Sequence, residues 1–307
     1  MRATVLLNRG GGSVTDDETQ VDLTTRALLE AGIDANVCPV DGGEIEGSCR
    51  AAVERGDPML IVGGGDGTIS AAAGALAGTD TVLGVLPLGT LNHFAKDLGI
   101  PLDLGQAAMA IAQGREQRVD VAEMSAGSAA ARLFVNNSAV GLYPLMVLDR
   151  ESQQDRLGRS KWLAMAVAST RTLVRFRHQR LTLTVNDQQK KIDTPLLFVG
   201  NNDYRLELPG AGTRESLSDG QLCVMVLRKD TRMGLIASVV RALAGRTRPD
   251  DMVKLDGVES LRVDSRKRRL PVSLDGETCN VVTPLDYRIR KGALRVMVPP
   301  EAAPDAV

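Results

Sequence analysis

Aromatic side chains are scarce in this chain of 307 residues: four phenylalanines, three tyrosines and one tryptophan. A core must therefore be built from Ala, Val, Leu, Ile and Met. The same scarcity leaves few stacking platforms for nucleic acid, which argues against that class of partner. The four cysteines, Cys38, Cys49, Cys223 and Cys279, form no CxxC pair and follow no regular spacing. They read as reduced thiols of a cytosolic protein. No basic-then-apolar leader is present, because MRATVLLNRGGG turns into glycines at once. The longest apolar stretch, GLIASVV before RALAG, is too short to span a bilayer. What remains is 43% hydrophobic and 24% charged, the composition of a soluble globular protein. The length suffices for two domains.

The net charge of −1 hides an asymmetry. Residues 1–125 hold 8 Lys and Arg against 18 Asp and Glu, and the rest hold 29 against 20. Two domains facing different partners would produce such a split. The organisation changes at the same place. Up to residue 120, short apolar runs (ATVLLN, IDANVCPV, MLIV, VLGVLPL) alternate with helical patterns. The first helix, over 16–31, should bury Val21, Leu28 and Leu29, and Gly32 should stop it. Strands separated by such helices imply βαβ units and a parallel sheet. Beyond residue 125, runs such as RLFVNNSAV, RLTLTVND, TPLLFVGNN, GQLCVMVLR, ESLRVDS and ALRVMVP read as strands of a mostly antiparallel domain. Helical stretches near 155–178 and 231–245 interrupt them. The domains are placed at 1–125 and 126–300, with room for the C-terminal tail to pack back on the first.

One loop carries chemistry. LIVGGGDGTIS, residues 60–70, follows the third strand. It matches neither GxGxxG, since Thr68 and Ser70 stand where glycine is required, nor a Walker A loop, since no Lys follows. Glycines ahead of a helix N-terminus still suit an anion. Asp66 would repel phosphate unless a cation stands between them. Mg²⁺ bridging nucleotide phosphates would serve, since Asp is a hard oxygen ligand. Alternatively, Asp66 handles the proton of an acceptor. A second loop, LPLGTLNHFAKDLGIP over 86–101, follows the next strand. Loops at the carboxyl ends of parallel strands form the ligand crevice of open α/β sheets.

GGGDGT followed by PLGTLN, with SLDGE far downstream, resembles the diacylglycerol kinase catalytic-domain family, which includes soluble bacterial lipid kinases, sphingosine and ceramide kinases and, distantly, NAD kinases. The resemblance runs over roughly residues 3–298. It implies an ATP- and Mg²⁺-dependent lipid hydroxyl kinase with a Rossmann-like α/β nucleotide domain and a β-sandwich substrate domain. On that resemblance Asn8, Gly64, Gly65, Gly67, Thr68, Thr90, Asn92 and Asp120 would surround the nucleotide and its metal. Asp66 would act at the reacting phosphate. Glu277 would take the proton of the lipid hydroxyl, with Asp275 as supporting carboxylate. The SLSDGQL segment would hold a structural Mg²⁺ through Ser216, Asp219 and Gln221. Read from its residues alone, DGE is also an ordinary Asp-Gly hairpin turn.

The chain departs from the family pattern at four places. Arg9 replaces a proline, His93 an acid, Val40 a threonine and Ser70 an asparagine. The loss of an acid at His93 bears on the metal arrangement. A non-catalytic lipid-binding regulator that keeps the fold, or a NAD-kinase-like phosphotransferase, are the alternatives. The second half is basic, with eight Lys and Arg against two acids over 150–180 and the run RKRR at 266–269. Peripheral docking on an anionic inner membrane surface would use this charge. A homodimer is compatible with the sequence.

Overall fold

The computed structural model describes residues 2–9, 17–127, 129–141, 178–205, 213–227 and 252–300. His178 apart, the helical stretches expected near 155–178 and 231–245 lie outside these residues. The chain divides into two compact units. The first comprises residues 1–121, 216–218 and 290–307, and the second 122–215 and 219–289.

In the first unit, β1 (Arg2–Asn8), β3 (Met59–Gly64) and β4 (Val82–Pro87) are joined in parallel, and β2 (Asp34–Val40) pairs with the other side of β1. The end of the long β16 (Leu285–Val298) adds to β4 in the same direction, with Val296 opposite Leu83. The spatial order is therefore β2-β1-β3-β4-β16. The chain leaves β1 to one side for β2 and returns to the other side for β3. That reversal makes the carboxyl ends of β1 and β3 the topological switch point. Leu60, Ile61, Val62, Leu83, Val85 and Leu86 are all buried. Such unbroken apolar runs mark central parallel strands covered on both faces.

The helices are α1 (Asp17–Glu30), α2 (Ile45–Glu54), α3 (Asp66–Leu76), the short α4 (His93–Asp97) and α5 (Leu104–Gln113). In α1 the buried stripe runs through Thr24 and Leu28, while Leu29 is 67% exposed. The expectation that Leu28 and Leu29 share one face is corrected by helical geometry, since adjacent residues lie about 100° apart. The helix does end at Gly32, which adopts φ +81°. Ala72, Ala73 and Ala75 of α3 are buried, and their small side chains let the helix lie close to the sheet.

The second unit is a sandwich of two sheets. One is antiparallel, in the order β12 (Met252–Val258), β11 (Leu222–Leu227), β10 (Leu196–Asn201), β7 (Asn137–Gly141), β14 (Arg269–Leu274), β15 (Glu277–Val282). The other contains β9 (Gln188–Thr194), β8 (Gln179–Val185), β13 (Ser260–Ser265) and the start of β16. The later part of β5 (Arg115–Ala126) also belongs here, paired with β6 (Arg132–Phe134). Alternate residues point inward: Leu181 and Leu183, Leu261 and Val263, Leu270, Val272 and Leu274, Leu222, Val224 and Val226 form one core. This period-two burial is the signature of facing sheets. Tyr287 is buried in that core and shares a hydrogen bond with Ser138 at 3.1 Å. Among the described residues no helix is long and apolar enough to cross a membrane.

Candidate active site

The GGGDGT stretch occupies the exit of β3 and the first turn of α3. Gly65 caps the helix without a side-chain hydrogen bond, so Asp66 is the first helical residue. A carboxylate there faces the unpaired amides and positive end of the helix, a favourable place for it. The parallel exit of β4 lies against this turn. Leu88 N donates to Gly64 O at 3.1 Å. A Cβ on Gly89 would lie 2.4 Å from the Cα of Gly65, and one on Gly64 would lie 2.6 Å from the Thr68 side chain. Glycine is thus required at 89 by backbone packing of the two loops against each other, and at 64 by the Thr68 side chain. The packing leaves little thickness between the loops and anything bound above them.

Asn92 locks the second loop. It is buried and left-handed, with φ 51°. Its Oδ1 accepts from Gly89 N at 3.0 Å, and its Nδ2 donates to Gly89 O at 2.8 Å. It also caps α4, whose Phe94 N reaches Asp66 Oδ1 at 3.4 Å. Half-buried Asp66 therefore stands at the N-termini of two helices, and among the described residues its carboxylate receives one long hydrogen bond. Gly67 continues the first turn of α3, Thr90 is exposed at the loop tip, and His93 is exposed at the start of α4.

Asn8 ends β1 on the other side of the switch point. Its Nδ2 donates to Thr68 Oγ1 at 2.7 Å, while its buried Oδ1 has no partner among the described residues. A buried acceptor left open costs about 1–3 kcal/mol. At a crevice of this topology, an open acceptor suits a hydroxyl or a metal-bound water of a ligand. Asn8, Gly64, Gly65, Asp66, Thr68 and Asn92 are thus brought together in one unit. Asp120, on β5, is also buried in that unit. Its carboxylate accepts from Gly292 N at 2.7 Å, and its own N donates to Leu217 O at 2.8 Å.

In the second unit the DGE segment forms a two-residue hairpin. Leu274 pairs with Glu277, while Asp275 and Gly276 both take positive φ, 47° and 91°. Those signs define the turn that favours Asp-Gly. The turn sets its two carboxylates to different work. Asp275 accepts from the backbone amides of Val135 at 2.8 Å and of Asn136 and Asn137 at 2.9 Å. Glu277 is exposed, with Arg132 3.9 Å away. Within this hairpin Asp275 is an anchor and Glu277 an exposed acid.

The SLSDGQL segment is shared between the units. Ser216 lies in the first, where its Oγ accepts from Ser218 N at 3.1 Å. Asp219 and Gln221 lie in the second. Asp219 N donates to Asn202 Oδ1 at 3.0 Å, and the carbonyl of Gln221 accepts from Asn202 N at 3.1 Å.

Sequence reasoning missed Arg214. It is buried beside the strip that Asp275 holds. Its guanidinium donates to Val135 O at 2.5 Å, Asn201 O at 3.1 Å and Asn136 Oδ1 at 3.0 Å, and stacks 5.3 Å from the Tyr204 ring. Asp275 takes the amides of residues 135–137 while Arg214 takes a carbonyl of the same strip. No local pattern around GTRES signals this, because its strip partners Val135 and Asn136 lie 79 and 78 residues away.

Comparison with known proteins agrees with this layout. Residues 2–124 match the diacylglycerol kinase catalytic domain, and residues 148–298 match the YegS C-terminal NAD kinase beta sandwich-like domain. The chain belongs to the diacylglycerol kinase catalytic-domain family. A Klebsiella pneumoniae protein named "Probable lipid kinase YegS-like" is 27% identical, over 97% of each chain. A Mycobacterium tuberculosis protein named "Diacylglycerol kinase" is 28% identical over 89% of this chain and 87% of its own. A crystal structure of a Bacillus anthracis diacylglycerol kinase matches with a TM-score of 0.68 at 18% identity, over 100% of this chain and 98% of that one. This is a family of kinases, and the α/β unit followed by a β-sandwich is its fold.

Proposed function

We propose that the protein is an ATP- and Mg²⁺-dependent kinase that phosphorylates the hydroxyl of a lipid of the diacylglycerol type. The observation that carries the reading is the Asn8 amide oxygen at the switch point, open among the described residues, and the half-buried Asp66 carboxylate, which there has one long hydrogen bond. Both are oxygen acceptors where an open α/β sheet takes its ligand. Their chemistry fits a hydrated hard cation with nucleotide phosphates. Mg²⁺ supplies charge neutralisation on the transferring phosphoryl group.

The chain's own groups then divide the work. Asn8 and Thr68 orient the ligand at the end of β1. The interlocked Gly64, Gly65 and Gly89 keep the loop backbone thin enough for phosphate to approach. Gly67, Thr90 and Asn92 complete the nucleotide loops, and Asp120 stabilises the strand behind them. Glu277, exposed at the end of its hairpin, takes the proton from the lipid hydroxyl. Asp275 keeps its hairpin fixed. Ser216, Asp219 and Gln221 hold a second, structural Mg²⁺. The enzyme works in the cytoplasm and touches the membrane surface only peripherally.

The test is transfer of radiolabel from ATP by the pure protein to a panel of lipids in detergent micelles, diacylglycerol among them. Label in a lipid product that requires Mg²⁺ supports the reading. A pure, folded protein that labels no lipid but still binds lipid would favour a regulatory role.

A further inference from the structure

The turn between β13 and β14 reads Ser265-Arg266-Lys267-Arg268-Arg269, and all four basic side chains are exposed. Among the described residues none of the four forms an ion pair. Lys267 Nζ instead donates to the neutral Gln179 Oε1 at 2.8 Å. The nearest acids are already engaged: Asp264 lies 3.4 Å from Arg262, and Asp193 lies 3.6 Å from Arg180. The backbone beneath these charges is fixed. Lys267 N donates to Ser265 Oγ at 3.1 Å, Thr283 Oγ1 donates to Lys267 O at 2.8 Å, and Thr283 N donates to Arg268 O at 3.1 Å. Four like charges on one tied turn repel one another, and among the described residues no acid offsets the repulsion.

We infer that this turn is a docking point for an anionic phospholipid surface, an inference that rests on the lipid-kinase reading. An exposed basic turn meets a surface of phosphates, and point charges suffice there. The turn carries no aromatic side chain to stack on a base, so single-stranded nucleic acid fits it less well. Its place in the fold keeps docking separate from chemistry. β14 runs from Arg269 to Leu274 and ends at the DGE turn. Six extended residues separate the basic turn from that hairpin by roughly 20 Å. The turn therefore acts as a tether and not as part of the reacting site.

The experiment uses the full chain and the variant Arg266→Glu/Arg268→Glu. Sedimentation is measured with vesicles of phosphatidylcholine alone and of phosphatidylcholine with phosphatidylglycerol, at low and high salt. Wild type should pellet with the anionic vesicles only, and less as salt rises. The variant should lose about tenfold or more in apparent vesicle affinity, given roughly fivefold per basic residue near the surface. Its thermal unfolding and its activity on detergent-dispersed lipid should be unchanged. Arg266→Lys/Arg268→Lys should bind vesicles as wild type does. Equal pelleting of wild type and the Glu variant would overturn the inference, as would equal binding of wild type to neutral vesicles. Wild type that is inactive in micelles yet pellets selectively would sink the kinase reading and leave the docking surface standing.

Discussion

Asp66 and Asp275 are both aspartates beside glycine at the exit of a strand, one in each unit, and they do opposite work. Asp66 opens a helix and its carboxylate receives one long hydrogen bond, from Phe94 N. Asp275 sits inside a hairpin and its carboxylate is committed to three backbone amides of residues 135–137. The difference separates a group available to a ligand from a group consumed by the fold. Sequence similarity between GDG and LDG does not distinguish them. The partner count of each carboxylate does.

The largest effect that could break this contrast is on stability. Asp275→Ala leaves three amides without their acceptor and places alanine at φ 47°, a conformation it resists. At about 1 kcal/mol per lost bond in a half-buried site, the loss should be about 3 kcal/mol. Urea unfolding of the variant would read it directly. A midpoint equal to wild type would mean that the anchor is dispensable.

Next in size is catalysis by the neighbouring acid. Glu277→Gln keeps the shape of an exposed side chain whose one ion pair among the described residues is 3.9 Å long. Stability should hold while lipid phosphorylation falls about 10²-fold, the usual scale for a general base. Wild-type turnover in this variant would leave the DGE hairpin with a structural role alone. Smaller still is the effect at Asp66. Asp66→Asn should weaken ATP binding roughly tenfold with Mg²⁺ present and little without it, the scale of one altered metal contact. Calorimetric titration in both conditions separates the two. Equal losses would assign Asp66 to helix capping.

Why could the fold be read from sequence while half of this contrast could not? β3 and β4 declare themselves because a buried parallel strand is a continuous apolar run. β8 and β13 do so because alternation marks one buried face, and β11 because its LCVMVL run is continuously apolar. Gln188–Thr194, by contrast, is a polar strand at the end of its sheet, and its QQKK run carries no periodic signal. Arg214 and Asp275 meet on the strip 135–137, some 80 and 140 residues away. Nothing local encodes such contacts. The interlock of Gly65 and Gly89 is of the same kind. The sequence shows a loop suited to phosphate, and only the packed strands show that the glycines also make room for each other.

The cysteines sharpen the comparison of the two units, since each unit holds one buried and one half-buried thiol: Cys49 and Cys38 in the first, Cys223 and Cys279 in the second. Burial, helped by the nearby Glu46, pushes the Cys49 thiol up to about 12. Burial first, with a smaller push from Asp203 and against the opposing Tyr204 backbone and Lys254, raises Cys223 to about 11. The thiolate is the reactive form, so a raised value means slow alkylation at pH 8. Cys38 and Cys279 should therefore be labelled by iodoacetamide first, and Cys49 and Cys223 only when their own unit opens. Mild urea then turns the two buried thiols into separate reporters. Asp275→Ala weakens a contact made wholly within the second unit, so it should speed labelling of Cys223 and leave Cys49 at the wild-type rate. Peptide mapping by mass spectrometry would assign each rate. If both accelerate together, the two units open as one cooperative body, and the anchor at Asp275 stabilises the whole chain.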